Sequence, residues 1–333
     1  MKKKAMPTGS SLQEKSHEQR LSRRDFASLT MAGAASLALA APAAVQSLVT
    51  SPPGTAPGTP PPLVRVDKRT AQLWRITIAN PPFNLVVPEM VSALHAVAVD
   101  MARDPDVRVV VFDSAIDSYF INHFDLSKAQ DFPMLPGNPP TPVWVDLVLR
   151  LSRSPVISIA SIRGRTRGGG NEFALACDMR YASVEQAWFG QPEVGAGILP
   201  GGGASERLPR LAGRDRALEV ILSSQDYGGA DAERMGMVTR ALPDAELDGF
   251  VQALSIRLAS FDKQSLSGAK AQVNRATLPP EADLQAAYAE YSNSLAWPGF
   301  QAQRPRMGKL AAEHGPAELE RRLGHFIGQS KLK

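Results

Sequence analysis

One cysteine, Cys177, stands in a chain of 333 residues, so no disulfide can form within it, and at its helical position the thiol reads as packing. Histidine is nearly as scarce. The five, His17, His95, His123, His314 and His325, fall at no spacing that ligates a metal, and no metal site is expected. Aromatic residues make up 6% of the chain and do not interleave with a basic stripe, which removes the usual footprint of a nucleic-acid partner. Neither a strand-linked dinucleotide glycine fingerprint nor a phosphate loop ending in Gly-Lys-Ser/Thr occurs, which argues against a nucleotide-binding doubly wound sheet. What is present is a globular composition, 44% hydrophobic with net charge +4, long enough for one large domain or two small ones.

A run of about 20 strongly apolar residues is also missing, so no stable membrane insertion is expected. Residues 1–47 carry instead a polar, basic start, then Ser22-Arg23-Arg24-Asp25-Phe26, then a weakly hydrophobic run from Ala27 to Val45 with Ala41-Pro42-Ala43 as a small-residue cleavage site. This is the shape of a twin-arginine export signal; the mature protein is then expected in the periplasm or otherwise outside the cytoplasm, and in the cytoplasm if the leader does not function. Residues 48–62, rich in Pro, Gly and Thr, cannot bury a core and read as an extended spacer.

The folded part then begins near Leu63, with a core expected over 63–260 and a helical region over 261–333. Val64–Asp67 and Leu73–Ile78 read as paired strands around a turn. Met90, Leu94, Val97 and Met101 recur at helical spacing after Pro88, and Val107–Asp113 is a buried strand. This ββαβ opening implies an α/β fold of stacked β/α repeats. Phe132–Pro142 is proline-rich and suits a loop lying over a pocket. Helices are further expected over Val143–Leu151, Ala217–Ser223, Ala230–Met235, Leu247–Leu258, Ser265–Arg275, Glu281–Leu295 and Glu318–Ile327.

The most informative stretch is Val156–Glu193. A β-branched run suits a strand buried on both faces, and Gly168-Gly169-Gly170 lets the backbone turn with no side chain shielding its N–H groups. A helix opening there presents unpaired donors and a partial positive charge, which stabilise an oxygen that becomes negative. Glu172 falls in that helix's first turn, and Glu193 follows Pro192 at a strand end. Two carboxylates in different environments can divide acid and base roles. Taken singly, Glu172 can equally serve the helix dipole and Glu193 can be a solvated turn residue.

In order, the chain has Gly164, Gly168-Gly169-Gly170, Glu172, Cys177-Asp178, Tyr181-Ala182, Phe189-Gly190-Gln191-Pro192-Glu193, Gly197 and Pro200-Gly201-Gly202-Gly203. This succession closely resembles the second half of the crotonase (enoyl-CoA hydratase/isomerase) family. The resemblance implies a crotonase fold, stacked ββα repeats forming a spiral core with a C-terminal helical part, and assembly as a homo-trimer or a dimer of trimers. It also implies that Glu172 and Glu193 handle water and proton, and that Gly169 gives one of two N–H groups to a thioester oxygen. No resident cofactor follows, coenzyme A entering only as part of an acyl thioester substrate.

Three stretches depart from the family pattern, one of them the C-terminal part, which lacks the family's usual Arg-x-Glu-Gly-x-x-Ala-Phe ending. Tyr119–Leu126 stands where the family has Phe-x-Ala-Gly-x-Asp-Leu: Phe120, Asp125 and Leu126 match, Asn122 and His123 replace Ala-Gly, and Phe124 falls where the second oxyanion N–H belongs. His123 could narrow the channel for the carrier arm, bring a proton-transfer group to the pocket, or pack outside the site, and Asn122 shares the substrate-binding position. Arg163, Arg165 and Arg167 replace apolar or amide residues; they suit a phosphate or carboxylate, Arg167 nearest the glycines, or else ion pairs on the surface or between subunits. The expected activity is reversible hydration of a 2-enoyl thioester. The alternatives are an exported hydrolase, isomerase or C–C lyase acting on a carbonyl compound that is not a CoA ester, and a non-catalytic binding protein on the same fold. Two retained carboxylates argue against the last.

Overall fold

Strands in this chain alternate between two sheets, and that alternation positions the site. The computed structural model describes residues 61–328; the leader expected over 1–47 and residues 48–60 of the spacer lie outside the described residues. The chain opens with a hairpin, β1 (Val64–Lys68) and β2 (Leu73–Ile78), whose turn is closed by Thr70 Oγ1 accepting the N–H groups of Gln72 and Leu73. Then follow α1 (Pro88–Arg103), β3 (Val109–Ser114), β4 (Tyr119–Ile121), a short hairpin of β5 (Met134–Leu135) and β6 (Thr141–Pro142), and α2 (Val143–Arg153). The central part is β7 (Ile157–Ile162), β8 (Arg165–Arg167), α3 (Gly169–Ala176), β9 (Met179–Ser183), β10 (Trp188–Gly190), α4 (Glu193–Ala196), α5 (Ala204–Ala212) and α6 (Arg214–Ser223). After β11 (Asp226–Gly228), α7 (Gly229–Met235) and β12 (Arg240–Leu242), the chain is helical: α8 (Asp244–Ala259), α9 (Lys263–Thr277), α10 (Glu281–Ser294), α11 (Pro298–His314), α12 (Pro316–Arg321) and α13 (Leu323–Gly328).

The larger sheet runs β1-β2-β3-β7-β9-β12 and the smaller β11-β10-β8-β4. Strand pairs β3/β4, β7/β8 and β9/β10 each send one member to each sheet before the next helix, which is the expected spiral of ββα repeats. Beyond the β1–β2 hairpin, the ladders of the larger sheet are parallel. Its inner strands β2, β3 and β7 are covered on both faces, as parallel strands require. Leu73, Val109, Val111, Ile157 and Ile159 pack with Leu247 and Val251 of α8, while the alternate residues Trp74, Ile76, Val110, Phe112 and Ala160 join the main core with α1, α2 and α3.

The helical region is tied back to this core. Lys270 on α9 is buried, donates to the carbonyls of Leu151 and Val156, and pairs with Asp178 at 2.8 Å. Two expectations change here. The helix anticipated over Glu318–Ile327 is broken at Arg322 (φ −124°, ψ 34°), where α12 ends and α13 begins after it. Residues 298–314, left unassigned from sequence, form α11, because Pro298 and the interior Pro305 mask a helical segment whose only buried side chain is Phe300.

Candidate active site

Three consecutive glycines let two loops touch. Gly168 has φ +49° and ψ −124°, outside what a side chain normally permits. A Cβ on Gly170 would lie 1.8 Å from the Ile121 carbonyl oxygen, and one on Gly169 would strike the Phe124 ring at 2.4 Å. The Gly170 N–H donates to Asn122 O at 3.1 Å. Residues 121–124 therefore sit directly on residues 168–170. On its other side the loop is held by Val86, whose N–H donates to His123 O and whose carbonyl accepts from Asp125 N. Among the described residues no acceptor takes the N–H of Phe124 or of Gly169. The two donors singled out from sequence thus lie on touching loops.

The two glutamates open onto one cavity of about 440 Å³, lined by Phe124, Phe132, Trp144, Gly202 and Tyr291 among others. Glu172, on α3, is 2% exposed, and its Oε1 accepts from Gly202 N at 2.7 Å and Ala204 N at 3.3 Å. Those bonds fix the carboxylate and leave Oε2 without a hydrogen-bond partner among the described residues. Burial pushes the Glu172 carboxyl up to about 7 against the pull of these two N–H groups. Glu193, expected in a turn after Pro192 at a strand end, does follow β10 there and is the first residue of α4. Its carboxylate is reached by a relay, Asn171 Nδ2 donating to Gln191 Oε1 at 2.8 Å and Gln191 Nε2 to Glu193 Oε2 at 3.3 Å. Burial, with repulsion from Glu172, pushes Glu193 up to about 8. Such a pair holds one proton between its members near neutrality.

A second cavity of about 390 Å³ adjoins the first and shares Phe124, Glu193 and Tyr291 with it; the 123–127 loop, the stretch from Pro192 to Ile198 and the helices α11, α12 and α13 line it, with His123 and Glu320 among its polar groups. The Phe132–Pro142 segment contributes Phe132, Pro133 and Pro142 to the wall of the first cavity, as a covering loop should. Phe132 and Trp144 pack edge-on to the Phe124 ring, with centroids 4.8 and 4.9 Å away.

The remaining candidates are held by protein partners. His123 Nδ1 faces the Phe124 carbonyl at 2.9 Å and Nε2 faces Glu320 Oε2 at 3.0 Å, so the doubly protonated ring satisfies both contacts. Burial disfavours that charge, but attraction and hydrogen bonding from Glu320 outweigh it and raise the His123 pKa. Glu320 answers in kind: burial would raise its pKa, and the His123 charge and the bonds from His123 and Asn122 lower it. Asn122 is fully buried and donates to Glu320 Oε2 at 2.9 Å. Arg167, 1% exposed, grips Asp226 with two nitrogens at 2.7 Å and donates to the carbonyls of Glu320 and Arg321. Its guanidinium lines neither cavity. Arg163 pairs with Asp244 and Asp248, and Arg165 donates to Arg321 O. The three guanidiniums thus bond protein groups, and none of the three arginines lines either cavity beside the glutamates.

Three residues at this site escaped the sequence reading: Trp144, Tyr291 and Glu320. Nothing in their local pattern marks them, since each comes to the site only when a helix folds over it. The described residues contain no group of His, Cys, Asp and Glu able to hold a metal, and none of their helices is long and apolar enough to cross a membrane.

Residues 68–325 match the model of the enoyl-CoA hydratase/isomerase family. A short-chain-enoyl-CoA hydratase of Clostridium acetobutylicum is 29% identical over 201 residues, 60% of this chain and 77% of that protein. Among solved structures, one from Streptomyces avermitilis, provisionally named an enoyl-CoA hydratase, is 38% identical with a TM-score of 0.76 over 81% of this chain and 97% of that one. An enoyl-CoA hydratase from Mycobacterium avium subsp. paratuberculosis is 27% identical with a TM-score of 0.66, covering 73% and 98%.

Proposed function

The chain belongs to the enoyl-CoA hydratase/isomerase family, and from that premise we propose that it adds water reversibly across the double bond of a 2-enoyl thioester. One observation carries the reading: two carboxylates share a cavity beside two loops whose Phe124 and Gly169 N–H groups have no protein acceptor. The acyl chain enters the cavity of Glu172 and Trp144, and the arm that bears it lies in the adjoining apolar cavity. The thioester oxygen accepts from the two N–H groups, so that negative charge can collect there as an enolate. Glu172, the more acidic of the pair, takes a proton from water as its oxygen bonds to C3. Glu193 keeps its proton at neutral pH and delivers it to C2 as the enolate collapses. One water is consumed and the pair regains its single proton by transfer from Glu172 to Glu193.

The test is turnover of crotonyl-CoA, followed by loss of the conjugated thioester's absorbance. Glu172→Gln and Glu193→Gln should each lower kcat by about 10²–10⁴, the range a single acid–base group supplies; wild-type rates in either variant would overturn the assignment. A second reading is favoured by Ser22-Arg23-Arg24-Asp25-Phe26 and the apolar run behind it: an exported enzyme using the same oxyanion site on a carbonyl compound lacking coenzyme A. Turnover of simple thioesters without any of the CoA ester would select it.

A further inference from the structure

Trp144 carries a polar group at the site that the acid–base pair does not use. Trp144, in the first turn of α2, is 3% exposed, and its indole Nε1 is buried with no hydrogen-bond partner among the described residues. A buried donor left unpaired costs about 1–3 kcal/mol, so its persistence at a cavity wall points to an acceptor supplied by a ligand. Its direction is given by Gly202. A Cβ there would lie 2.2 Å from Trp144 Nε1 and 2.3 Å from Glu172 Oε2, so the two atoms are no further apart than these distances laid end to end. Only a glycine leaves this corner open, and its own N–H is engaged with Glu172 Oε1. Indole is a donor only and Oε2 of an ionised carboxylate is an acceptor only. A hydroxyl or water oxygen suits both at once, receiving from the ring and giving to the carboxylate.

We propose that the Trp144 indole N–H binds the oxygen carried on C3 of the acyl chain, holding it jointly with Glu172 Oε2, so that Trp144 orients the attacking water in hydration and the 3-hydroxyl in the reverse direction. The assignment rests on the hydratase reading and names a donor for the substrate's second oxygen, the first being the thioester oxygen. The ring is fixed for this role by its edge-on contact with Phe124 and its packing beside Phe173.

The test compares two esters that differ only in that oxygen. Isothermal titration of the wild-type protein should give 3-hydroxybutyryl-CoA an affinity about five- to tenfold above butyryl-CoA, the worth of one net hydrogen bond. Trp144→Phe keeps the ring and removes the N–H; it should erase that preference, leave butyryl-CoA affinity within twofold, and lower kcat for crotonyl-CoA more than it changes KM. In the wild-type protein labelled with ¹⁵N-tryptophan, the indole signal absent from Trp144→Phe should move with the hydroxy ester and stay put with butyryl-CoA. A preference that survives in the variant overturns the assignment while leaving the hydratase reading intact. Loss of kcat with that preference intact places the N–H on Glu172 instead and equally overturns it. Failure of either ester to bind overturns the hydratase reading together with this one.

Discussion

At the residue scale, the proposed chemistry depends on two identical side chains being made unequal. Glu172 is clamped by two N–H groups that oppose its neutral form, while Glu193 feels burial plus its neighbour's charge. With both carboxyls raised, the proposed hydration uses the form in which Glu172 is ionised and Glu193 protonated. Below about 7 the base is lost to protonation, and above about 8 the acid is lost to ionisation. The pH profile of kcat/KM should therefore be a narrow bell with its limbs near those values; a flat profile from pH 5 to 7 would contradict the assigned states. Glu172, Glu193 and Gly169 stand out in the sequence because glycines and prolines beside them constrain the local backbone, whereas their roles, and Phe124 altogether, come only from the resemblance to the family pattern. Trp144 and Glu320 do not stand out, since a helix residue does not announce what folds against it. His123 shows the same limit: its chemistry was visible, but only the arrival of Glu320 decides that it forms an internal ion pair.

At the element scale, the site is a junction between loops that glycine allows and a C-terminal segment that arginine retains. Gly170→Ala would force a methyl group onto the Ile121 carbonyl, and the Asn122–Phe124 loop would have to leave the glycine turn. A loss of about 1–3 kcal/mol is expected from such overpacking, read as a lower melting temperature together with loss of activity. The ion pair of β8 with β11 gives a second handle. Arg167→Met leaves Asp226 unpaired and frees the Glu320 and Arg321 carbonyls, which should cost about 3–5 kcal/mol. Hydrogen exchange should quicken first in α12 and α13, because Arg167 and Arg165 hold their junction. Unchanged exchange there would mean that apolar packing of Leu319, Leu323 and Phe326 alone holds the segment. Strongly periodic elements such as α1 were legible to within a residue or two. The helix pair at Arg322 and the short strands β4, β8 and β11 were not, since three residues give no period and their pairing comes from distant parts of the chain.

At the scale of the whole molecule, the ββα spiral explains why residues so far apart in sequence meet. Each repeat sends a long strand to one sheet and a short strand to the other, so that the segments following β4, β8 and β10 come together and carry Phe124, Gly169 and Glu193 to one place. Helices α2 and α10 then close the cavity with Trp144, Tyr288 and Tyr291. The stacked-repeat architecture was readable from the ββαβ opening and the glycine-rich motif, whereas the division of strands between two sheets needed the ladders themselves. The central claim is that this cavity adds water to a double bond, and incubation of crotonyl-CoA with the protein in ¹⁸O-water tests it most directly. The account predicts one ¹⁸O at C3 of an intact thioester product, formed at a rate at least about 10²-fold lower in both glutamine variants. Label in a free carboxylate with release of coenzyme A, or labelling at C3 that proceeds undiminished without either glutamate, would contradict it.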